Sequence, residues 1–228
     1  MKFNHDKVEL PKIKQKNKAL PDGGRAYETP EGNLYPSITT VLSIRNKKEL
    51  HEWRKRVGND VANYIARTAA SRGTAVHKMC EDYLNNQHLE WPDEFDIHKS
   101  KNFLAWCLFT QMRNTLSNID NIKCLESNLY SDTLKVAGQV DCIAEYKGEL
   151  SVIDFKTSSK ERDDAWKENY YNQTCAYAEM FYERTGQKVD KLVILVVTQD
   201  GTVQEFIKDK WEYTKQLKDA LDNWNKRS

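Results

Sequence analysis

The sequence predicts an α/β fold in which helices precede a β-sheet, and three observations support this. Apolar residues recur at helical spacing across residues 47–119. From Ile122 onward the pattern changes to three short strands joined by turns, at 122–131, 134–146 and 149–157. A helical segment then precedes LVILVV at 192–197, a fully apolar run that is typical of a buried strand.

The region before the sheet is predicted to contain one hairpin and three helices. Residues 25–36 predict a short hairpin, because Pro30 and Gly32 favour a turn between two short extended runs. The helices are predicted at 47–73, 74–86 and 97–119. The first helix has an apolar face made of Leu50, Trp53, Val57, Val61, Tyr64 and Ile65.

The region after the three strands is predicted to alternate between helix and strand. A long helix is predicted at 163–186, where Gly186 ends it, and 202–208 can add an edge strand. Residues 211–224 close the chain as an amphipathic helix. Its inward side chains are predicted to be Trp211, Leu217, Leu221 and Trp224.

Length and charge indicate one folded domain behind a basic arm. The chain has 228 residues, enough for a single core, and its formal net charge is only +1. Binding to a polyanion would therefore have to be local. Residues 1–20 carry six lysines against two acidic residues with no clear period, so we expect a flexible basic arm at 1–24. The domain is then 25–228, helical at 47–119 and built on the sheet and its helices at 122–228.

Cysteine spacing and hydropathy indicate a soluble protein of a reducing compartment. The five cysteines form no CxxC pair, which favours reduced core residues. No apolar stretch suits a signal peptide or a membrane span, so we expect no membrane partner. The Lys-rich start favours a bacterial cytoplasm, or that of a phage-infected host cell, over a mitochondrion.

Two aspartates and a lysine interrupt the apolar strands. If Lys147 and Gly148 form a two-residue turn, counting back along both strands places Asp141 opposite Asp154. Strand alternation puts Lys156 on the same face as Asp154. Carboxylates about 5 Å apart repel by roughly 3 kcal/mol at an effective dielectric near 20, and Mg²⁺ or Mn²⁺ would relieve this. Metal-dependent phosphodiester chemistry is one interpretation, and an ordinary Asp–Lys ion pair on a sheet surface is the other.

A family resemblance adds to this interpretation. The motifs GQVD at 138–141, IDFKT at 153–157 and QTCAY at 173–177 resemble the RecB-like branch of the PD-(D/E)XK nucleases. PSITTVL at 36–42 and RGTAVHKMCEDYL at 72–84 are similar to the mitochondrial genome maintenance exonucleases and their phage and bacterial relatives. The resemblance covers roughly residues 35–200. It implies a restriction-endonuclease-like core, a mixed β-sheet flanked by helices, with an N-terminal helical arch.

The resemblance also implies the metal site and the catalytic lysine. The ligands of Mg²⁺ or Mn²⁺ would be the side chains of His77, Asp141 and Asp154 and the backbone carbonyl of Phe155. Lys156 would stabilise the attacking hydroxide or the transition state. No cysteine follows Cys175, so the iron–sulfur cluster of some relatives is not expected.

Further residues of the site follow from the same resemblance. Gln173 and Tyr177 lie four apart on the long helix and would contact DNA or the lysine, although packing residues would show the same spacing. Glu126 could serve a second metal or support the first. Glu81, one turn after His77, could orient the imidazole or pair with Arg72 or Lys78.

A helical cover over the site is expected at residues 88–120. Its potential stacking platforms are Trp91, Phe95 and Trp106, and its potential phosphate contacts are Arg72, Lys99, Lys101 and Arg113. For Trp106, core packing is the alternative that the sequence favours. Such an arch would admit unpaired ends, which implies a DNA exonuclease that prefers single-stranded DNA and acts in replication, repair or recombination.

Two other functions stay open at this point. One is a ring-forming exonuclease that resects duplex DNA, and the other is a nuclease-fold protein that binds DNA without cutting it. The intact set of Asp141, Asp154 and Lys156 argues against the second. The sequence has no GxxxxGK[ST] pattern, so the protein would act alone or use the motor of a partner. Such a partner could be a helicase or another replication or recombination protein.

Overall fold

The computed structural model describes residues 2–21, 23–44, 47–89, 103–163 and 168–226. The strands are β1 Lys14–Lys16, β2 Ala26–Glu28, β3 Leu34–Pro36, β4 Ile119–Ser131, β5 Val136–Tyr146, β6 Glu149–Ser158, β7 Lys191–Thr198 and β8 Val203–Asp209. The helices are α1 Ile38–Ser43, α2 Lys47–Val57, α3 Asn59–Leu84, α4 Phe103–Leu116, α5 Glu168–Thr185 and α6 Trp211–Asn225. None of the described helices is long and apolar enough to cross a membrane.

A five-stranded mixed sheet organises the domain. Its strand order is β4-β5-β6-β7-β8, in which β6 and β7 run parallel and the other neighbours run antiparallel. The parallel pair needs a crossover, and α5 lies in that connection. The predicted α/β class, with a mixed sheet flanked by helices, is confirmed, and so are the predicted edge strand β8 and the hairpin of β2 and β3.

Strand β7 is apolar on both faces because helices cover both faces of the sheet. Val193 and Leu195 pack with α3 and α4, in a core that also contains Phe109 and Met112. Leu192 points the other way, into a core shared with α1, α5 and α6. This explains why LVILVV shows no polar alternation.

The hairpin of β5 and β6 has the predicted register. Lys147 and Gly148 both have positive φ, at 53° and 86°, as a two-residue turn between twisted strands requires. The pairing begins at Tyr146 with Glu149 and continues to Cys142 with Ile153. The ladder ends there, one step before the two aspartates.

The helix boundary predicted near Gly73 is wrong. α3 continues through this glycine, and the break lies instead at Gly58, where φ is 85°. A left-handed backbone ends a helix, whereas a glycine in helical conformation does not. A side chain at position 73 would come within 3.8 Å of Thr157 Oγ1 on β6, so Gly73 lies where the helix approaches the sheet.

The apolar face predicted for the first helix is largely exposed. Tyr64 is 64% exposed, and Leu50, Val61 and Ile65 are also exposed. Except for Ala62, the buried residues of α3 lie in its second half, at Val76, Cys80 and Leu84. Helical spacing was therefore a correct sign of helix and a wrong sign of burial in this segment.

The closing helix α6 confirms three of the four residues of its predicted inward face. Leu217 and Leu221 are buried, and Trp224 packs against the same core. Trp211 is 74% exposed, so its predicted inward position is wrong. Trp211 is the first residue of α6. A side chain in the first turn of a helix can point to solvent even when the apolar residues of the later turns face the core.

The N-terminal segment, predicted as a flexible arm at 1–24, instead lies along the domain over its described residues. Phe3 is buried in the core formed with α3 and α4. Asp6 N donates to the carbonyl of Ile122 at 2.9 Å, and Ile122 N donates to the carbonyl of Asn4 at 2.9 Å. The segment thus satisfies backbone groups on the outer edge of β4, which would otherwise be an open edge strand.

The predicted arch is described only in part. Trp91, Phe95, Lys99 and Lys101 lie outside the described residues. The described helix α4 belongs to the core, with Leu108 and Met112 buried and Trp106 packed against that core, as the packing alternative predicts. The guanidinium of Arg113 lies 5.2 Å from the ring centre of Tyr83.

Candidate active site

The two aspartates lie where β5 and β6 separate. Asp141 is 8% exposed and Asp154 is 1% exposed. Asp141 Oδ2 accepts a hydrogen bond from Phe155 N at 2.8 Å. Asp154 Oδ2 forms an ion pair with Lys156 Nζ, and Gln173 Nε2 donates to Asp154 Oδ1 at 3.5 Å. Buried carboxylates are costly unless they are paired, and each of these two has a partner.

A histidine and two carboxylates form a cluster on one side of Asp141. His77 Nδ1 lies 3.6 Å from Glu126 Oε1 and 3.6 Å from Asp141 Oδ2. The candidate ligand atoms of these three residues all lie within 4.8 Å of one another. Two carboxylates and one imidazole nitrogen are a suitable donor set for a divalent cation, so the residues present fit such an ion.

This cluster differs from the predicted ligand set. The family resemblance groups His77 with Asp141 and Asp154 and gives Glu126 either to a second metal or to a supporting position. In the structure, Glu126 lies next to His77, while Asp154 is held by Lys156 and Gln173. The assignment of ligands to either set stays a prediction.

The position of Glu126 follows from the sheet register. It lies between the pairs Leu125–Cys142 and Ser127–Val140, which places it opposite Asp141. Its φ is 44°, a left-handed conformation that costs a non-glycine residue about 1–3 kcal/mol. Gln139 Nε2 donates to its carbonyl at 3.1 Å. Neither this register nor this backbone conformation is visible in the local sequence.

Lys156 is enclosed on two sides. Its ammonium pairs with Asp154 and also lies 4.9 Å from the ring centre of Tyr170, in cation–π geometry. Sequence reasoning missed Tyr170, although it precedes Gln173 by three residues and so shares a face of α5 with it. That spacing was the signal that could have found it.

The other residues predicted for the site lie at several places around it. Gln173 Nε2 donates to Tyr177 OH at 3.3 Å, so these two lie together beside Asp154. Glu81 pairs with Lys78 at 3.0 Å, one of its two predicted partners. The ring of Phe155 meets His77 edge-on, with centroids 6.1 Å apart.

An open groove of about 630 Å³ runs along the histidine cluster. It is lined by Gly73, Thr74, His77, Lys78, Glu81, Glu126 and Gln139. Arg72 does not line this groove and borders a separate cavity of about 450 Å³ beside α4. The groove makes the histidine cluster accessible from solvent even though Asp141 and Asp154 are buried.

The charges of the cluster control the protonation of His77. Burial lowers the pKa of His77, but the nearby carboxylates of Asp141 and Glu126 outweigh burial and raise the pKa to about 9. Burial raises the pKa of Asp154 to about 6, against the opposing effect of Lys156. Without a metal, the imidazolium of His77 therefore balances the carboxylates of Asp141 and Glu126 at neutral pH, while Lys156 balances Asp154.

A pH dependence of stability follows for the metal-free protein. Since the folded-state pKa of about 9 lies above the ordinary value of 6.5, protonated His77 stabilises the fold below pH 6.5, and this contribution is lost as the pH rises through 9. We expect the contribution of protonated His77 to the free energy of unfolding to reach about 3 kcal/mol. Urea unfolding in EDTA at pH 6 to 10 should show the wild type losing stability relative to His77→Asn over this window. A difference that stays constant with pH would contradict this expectation.

The close contact between Gly138 and Tyr177 predicts a stability effect. A Cβ at position 138 would lie 2.8 Å from Tyr177 Cε1 and 2.9 Å from its hydroxyl, and this ring is fully buried. Gly138→Ala should therefore destabilise the protein by about 1–3 kcal/mol in urea unfolding. Gly73→Ala, inside α3, is the matched control and should stabilise by about 0.5–1 kcal/mol. Equal effects of the two changes on the free energy of unfolding would contradict the close contact between Gly138 and the ring of Tyr177.

Comparison with known proteins agrees with this geometry. A family model described as the PD-(D/E)XK nuclease superfamily matches residues 51–227. Mitochondrial genome maintenance exonuclease 1 of Homo sapiens is 30% identical over 136 residues, which cover 56% of this chain and 38% of that protein. The protein of the same name from Mus musculus is 31% identical over 137 residues, with the same coverage of 56% and 38%.

A bacterial protein matches a shorter region. An ATP-dependent helicase/nuclease subunit of Clostridium beijerinckii is 35% identical over 77 residues, 32% of this chain and 6% of that protein. The chain thus spans well under half the length of these curated relatives. The family match covers most of the chain, including every residue of the site described above. The chain belongs to the PD-(D/E)XK nuclease superfamily.

Proposed function

We propose that this protein is a metal-dependent DNA exonuclease that hydrolyses phosphodiester bonds at free ends. The observation that carries the proposal is the position of the Asp154–Lys156 ion pair directly beside the cluster of His77, Glu126 and Asp141. Membership of a nuclease superfamily and relatives that are named exonucleases support it. We further propose a preference for single-stranded ends and a role in DNA replication, repair or recombination.

Mg²⁺ or Mn²⁺ is the proposed cofactor. His77, Glu126 and Asp141 would hold it, and Asp154 and the carbonyl of Phe155 are the other predicted ligands. When bound, such an ion lowers the pKa of a coordinated water and neutralises charge on the scissile phosphate. The oxygen-rich donor set favours these hard ions over softer metals.

The protein's own residues supply positioning and a fixed positive charge. The ammonium of Lys156 stabilises negative charge that develops on the reacting phosphate and the attacking oxygen. Asp154 and the ring of Tyr170 hold that ammonium in place. Gln173 donates to both Asp154 and Tyr177, and so fixes the carboxylate with which the lysine pairs.

The role of Tyr170 can be tested by two substitutions. Tyr170→Leu removes the ring and should lower kcat about 3- to 30-fold, because a cation–π contact of this kind contributes about 0.5–2 kcal/mol. Tyr170→Phe keeps the ring face and should remain within about twofold of the wild type. The measurement is steady-state hydrolysis of a labelled oligonucleotide. A loss of similar size in both variants would show that the hydroxyl, and not the ring, is what matters.

The function itself is tested by digestion of end-labelled DNA. We expect linear single strands to be degraded fastest in Mg²⁺ or Mn²⁺, duplex ends more slowly, and circular single strands to resist. EDTA should stop all degradation. Cleavage of circles at the rate of linear strands would replace the exonuclease with an endonuclease, and failure to cut any of these DNAs would overturn the proposal.

A further inference from the structure

One residue of β4 departs from strand geometry beside His77. Glu126 has a φ of 44°, whereas a residue of an antiparallel strand has a φ of about −140°. The other described non-glycine residues with positive φ lie in turns or at the register shift between Asp120 and Cys124. Glu126 is different, because the register of β4 against β5 is the same on both sides of it.

The left-handed backbone changes the face to which β4 directs this side chain. Cys124 packs in the core of α1, α5 and α6, and Leu125 packs against the core of α3 and α4 on the opposite face of the sheet. Strand alternation would return Glu126 to the face of Cys124. Its carboxylate instead lies 3.6 Å from His77, a residue of α3. Leu125 and Glu126 therefore point to the same face although they are consecutive.

Strand β5 loses its alternation directly opposite. Val140 packs in the core of α1, α5 and α6, whereas Cys142 packs in the core of α3 and α4. Residues two apart in a regular strand share a face, so the change of face occurs at Asp141. The carboxylate of Asp141 lies 3.6 Å from His77, and its backbone lies opposite Glu126 in the ladder. The two strands thus direct opposed carboxylates toward α3 at the same level.

Two side chains stabilise the irregular section of β4. Gln139 Nε2 donates to the carbonyl of Glu126 at 3.1 Å, and Ser127 Oγ donates to the carbonyl of Leu125 at 2.9 Å. A left-handed conformation is unfavourable for a residue with a Cβ atom and persists only where its surroundings hold it. Gln139 lines the same groove as His77 and Glu126. Its hydrogen bond connects it to the cluster through the backbone of Glu126.

We propose that Gln139 is a positioning residue of the metal site. Its amide holds the left-handed backbone of Glu126, and this backbone directs the Glu126 carboxylate toward His77. The role rests on the proposed function, because that carboxylate is a proposed ligand of Mg²⁺ or Mn²⁺. Without the amide, β4 relaxes toward regular strand geometry and Glu126 leaves the cluster.

Isothermal titration with Mn²⁺ in the absence of DNA tests this role. Gln139→Met keeps the length and unbranched shape of the side chain but removes the N–H donor. It should weaken Mn²⁺ binding about 10- to 100-fold, the usual effect of losing a residue that orients a ligand. Gln199→Met, the same change at an exposed position after β7, is the control and should bind Mn²⁺ like the wild type. Wild-type affinity in Gln139→Met would overturn the role.

A double-mutant cycle separates positioning of Glu126 from a general structural effect. Glu126→Gln removes the charge of the carboxylate and keeps the shape of the side chain. In that background, Gln139→Met should change the Mn²⁺ affinity by less than about twofold, because no carboxylate is left to position. An equal loss of affinity in both backgrounds would mean that Gln139 acts independently of Glu126, contrary to the proposal.

Steady-state cleavage distinguishes a contact with Glu126 from a contact with DNA. At saturating Mn²⁺, Gln139→Met should recover nearly the wild-type kcat, with an unchanged KM for the oligonucleotide. A raised KM together with an unchanged Mn²⁺ affinity would assign Gln139 to the DNA and refute its positioning role.

Crystal structures of the metal-free wild type and Gln139→Met test the role without metal or DNA. We expect Glu126 to be left-handed in the wild type, and to have a negative φ and a carboxylate away from His77 in the variant. A left-handed Glu126 beside His77 in the variant would overturn the proposal. If the wild type binds no Mn²⁺ and cuts no DNA, the proposed function fails, and these structures still decide whether Gln139 positions Glu126.

Discussion

Lys156→Ala is expected to lower the rate of DNA hydrolysis by about 10²–10³-fold or more, while the protein still folds and binds DNA. A fixed positive charge that stabilises a developing oxyanion contributes this much in a site shielded from water. Loss of the lysine also leaves Asp154 buried without its ion-pair partner, and burial already raises the pKa of that carboxyl to about 6. The variant is therefore expected to carry a protonated Asp154 near neutral pH.

The measurement compares single-turnover hydrolysis with oligonucleotide binding in EDTA. Lys160→Ala is the matched control, because it removes the same charge from an exposed residue four positions along the chain. It should retain nearly full activity. Cleavage by Lys156→Ala at the wild-type rate would exclude this lysine from the chemistry.

Asp141→Asn is expected to weaken binding of Mn²⁺ at least about 100-fold and to abolish cleavage at ordinary metal concentrations. The change removes one of the two carboxylates of the cluster while keeping the shape of the side chain. An amide oxygen can still accept the hydrogen bond from Phe155 N, so the fold should be retained. The measurement is isothermal titration with Mn²⁺, with the exposed Asp222→Asn on α6 as control.

The same variant has a second readout in the imidazole of His77. Since Asp141 is one of the charges that raise the pKa of His77 to about 9, its neutralisation should lower that pKa. Titration of the metal-free protein by NMR measures it. An unchanged imidazole pKa together with unchanged Mn²⁺ affinity would show that Asp141 and His77 do not form a common site.

The part of the site carried by the hairpin was predictable because strand pairing can be counted from a turn. Lys147 and Gly148 identify the turn, and alternation then relates Asp141 to Asp154 and Lys156. The count did not show that the ladder ends at Cys142. Beyond that point Asp141 turns toward the backbone of Phe155 and the two carboxylates acquire different partners.

The features that were missed, or that were predicted in another role, depend on contacts between segments distant in sequence. Glu126 enters the cluster through its left-handed backbone and its pairing with β5, and neither is visible in local composition. Tyr170 acquires a role only because Lys156 lies beneath its ring. The lysines of the N-terminal segment predict mobility, whereas the buried side chain of Phe3 and the free edge of β4 decide its position.

The helical region shows what periodicity can and cannot establish. The spacing of Val61, Tyr64 and Ile65 predicts a helix, which is present, and an inward face, which is not. Burial depends on what lies opposite the face, and that is a property of the whole fold.

The central claim is that His77, Glu126 and Asp141 bind a divalent ion beside Asp154 and Lys156. Anomalous X-ray scattering from crystals grown with Mn²⁺ tests it most directly. The account predicts a manganese peak bonded to Asp141 and within coordination distance of His77 or Glu126, and its loss in Asp141→Asn. Active protein whose manganese lies elsewhere, with no ion at this cluster, would contradict the account.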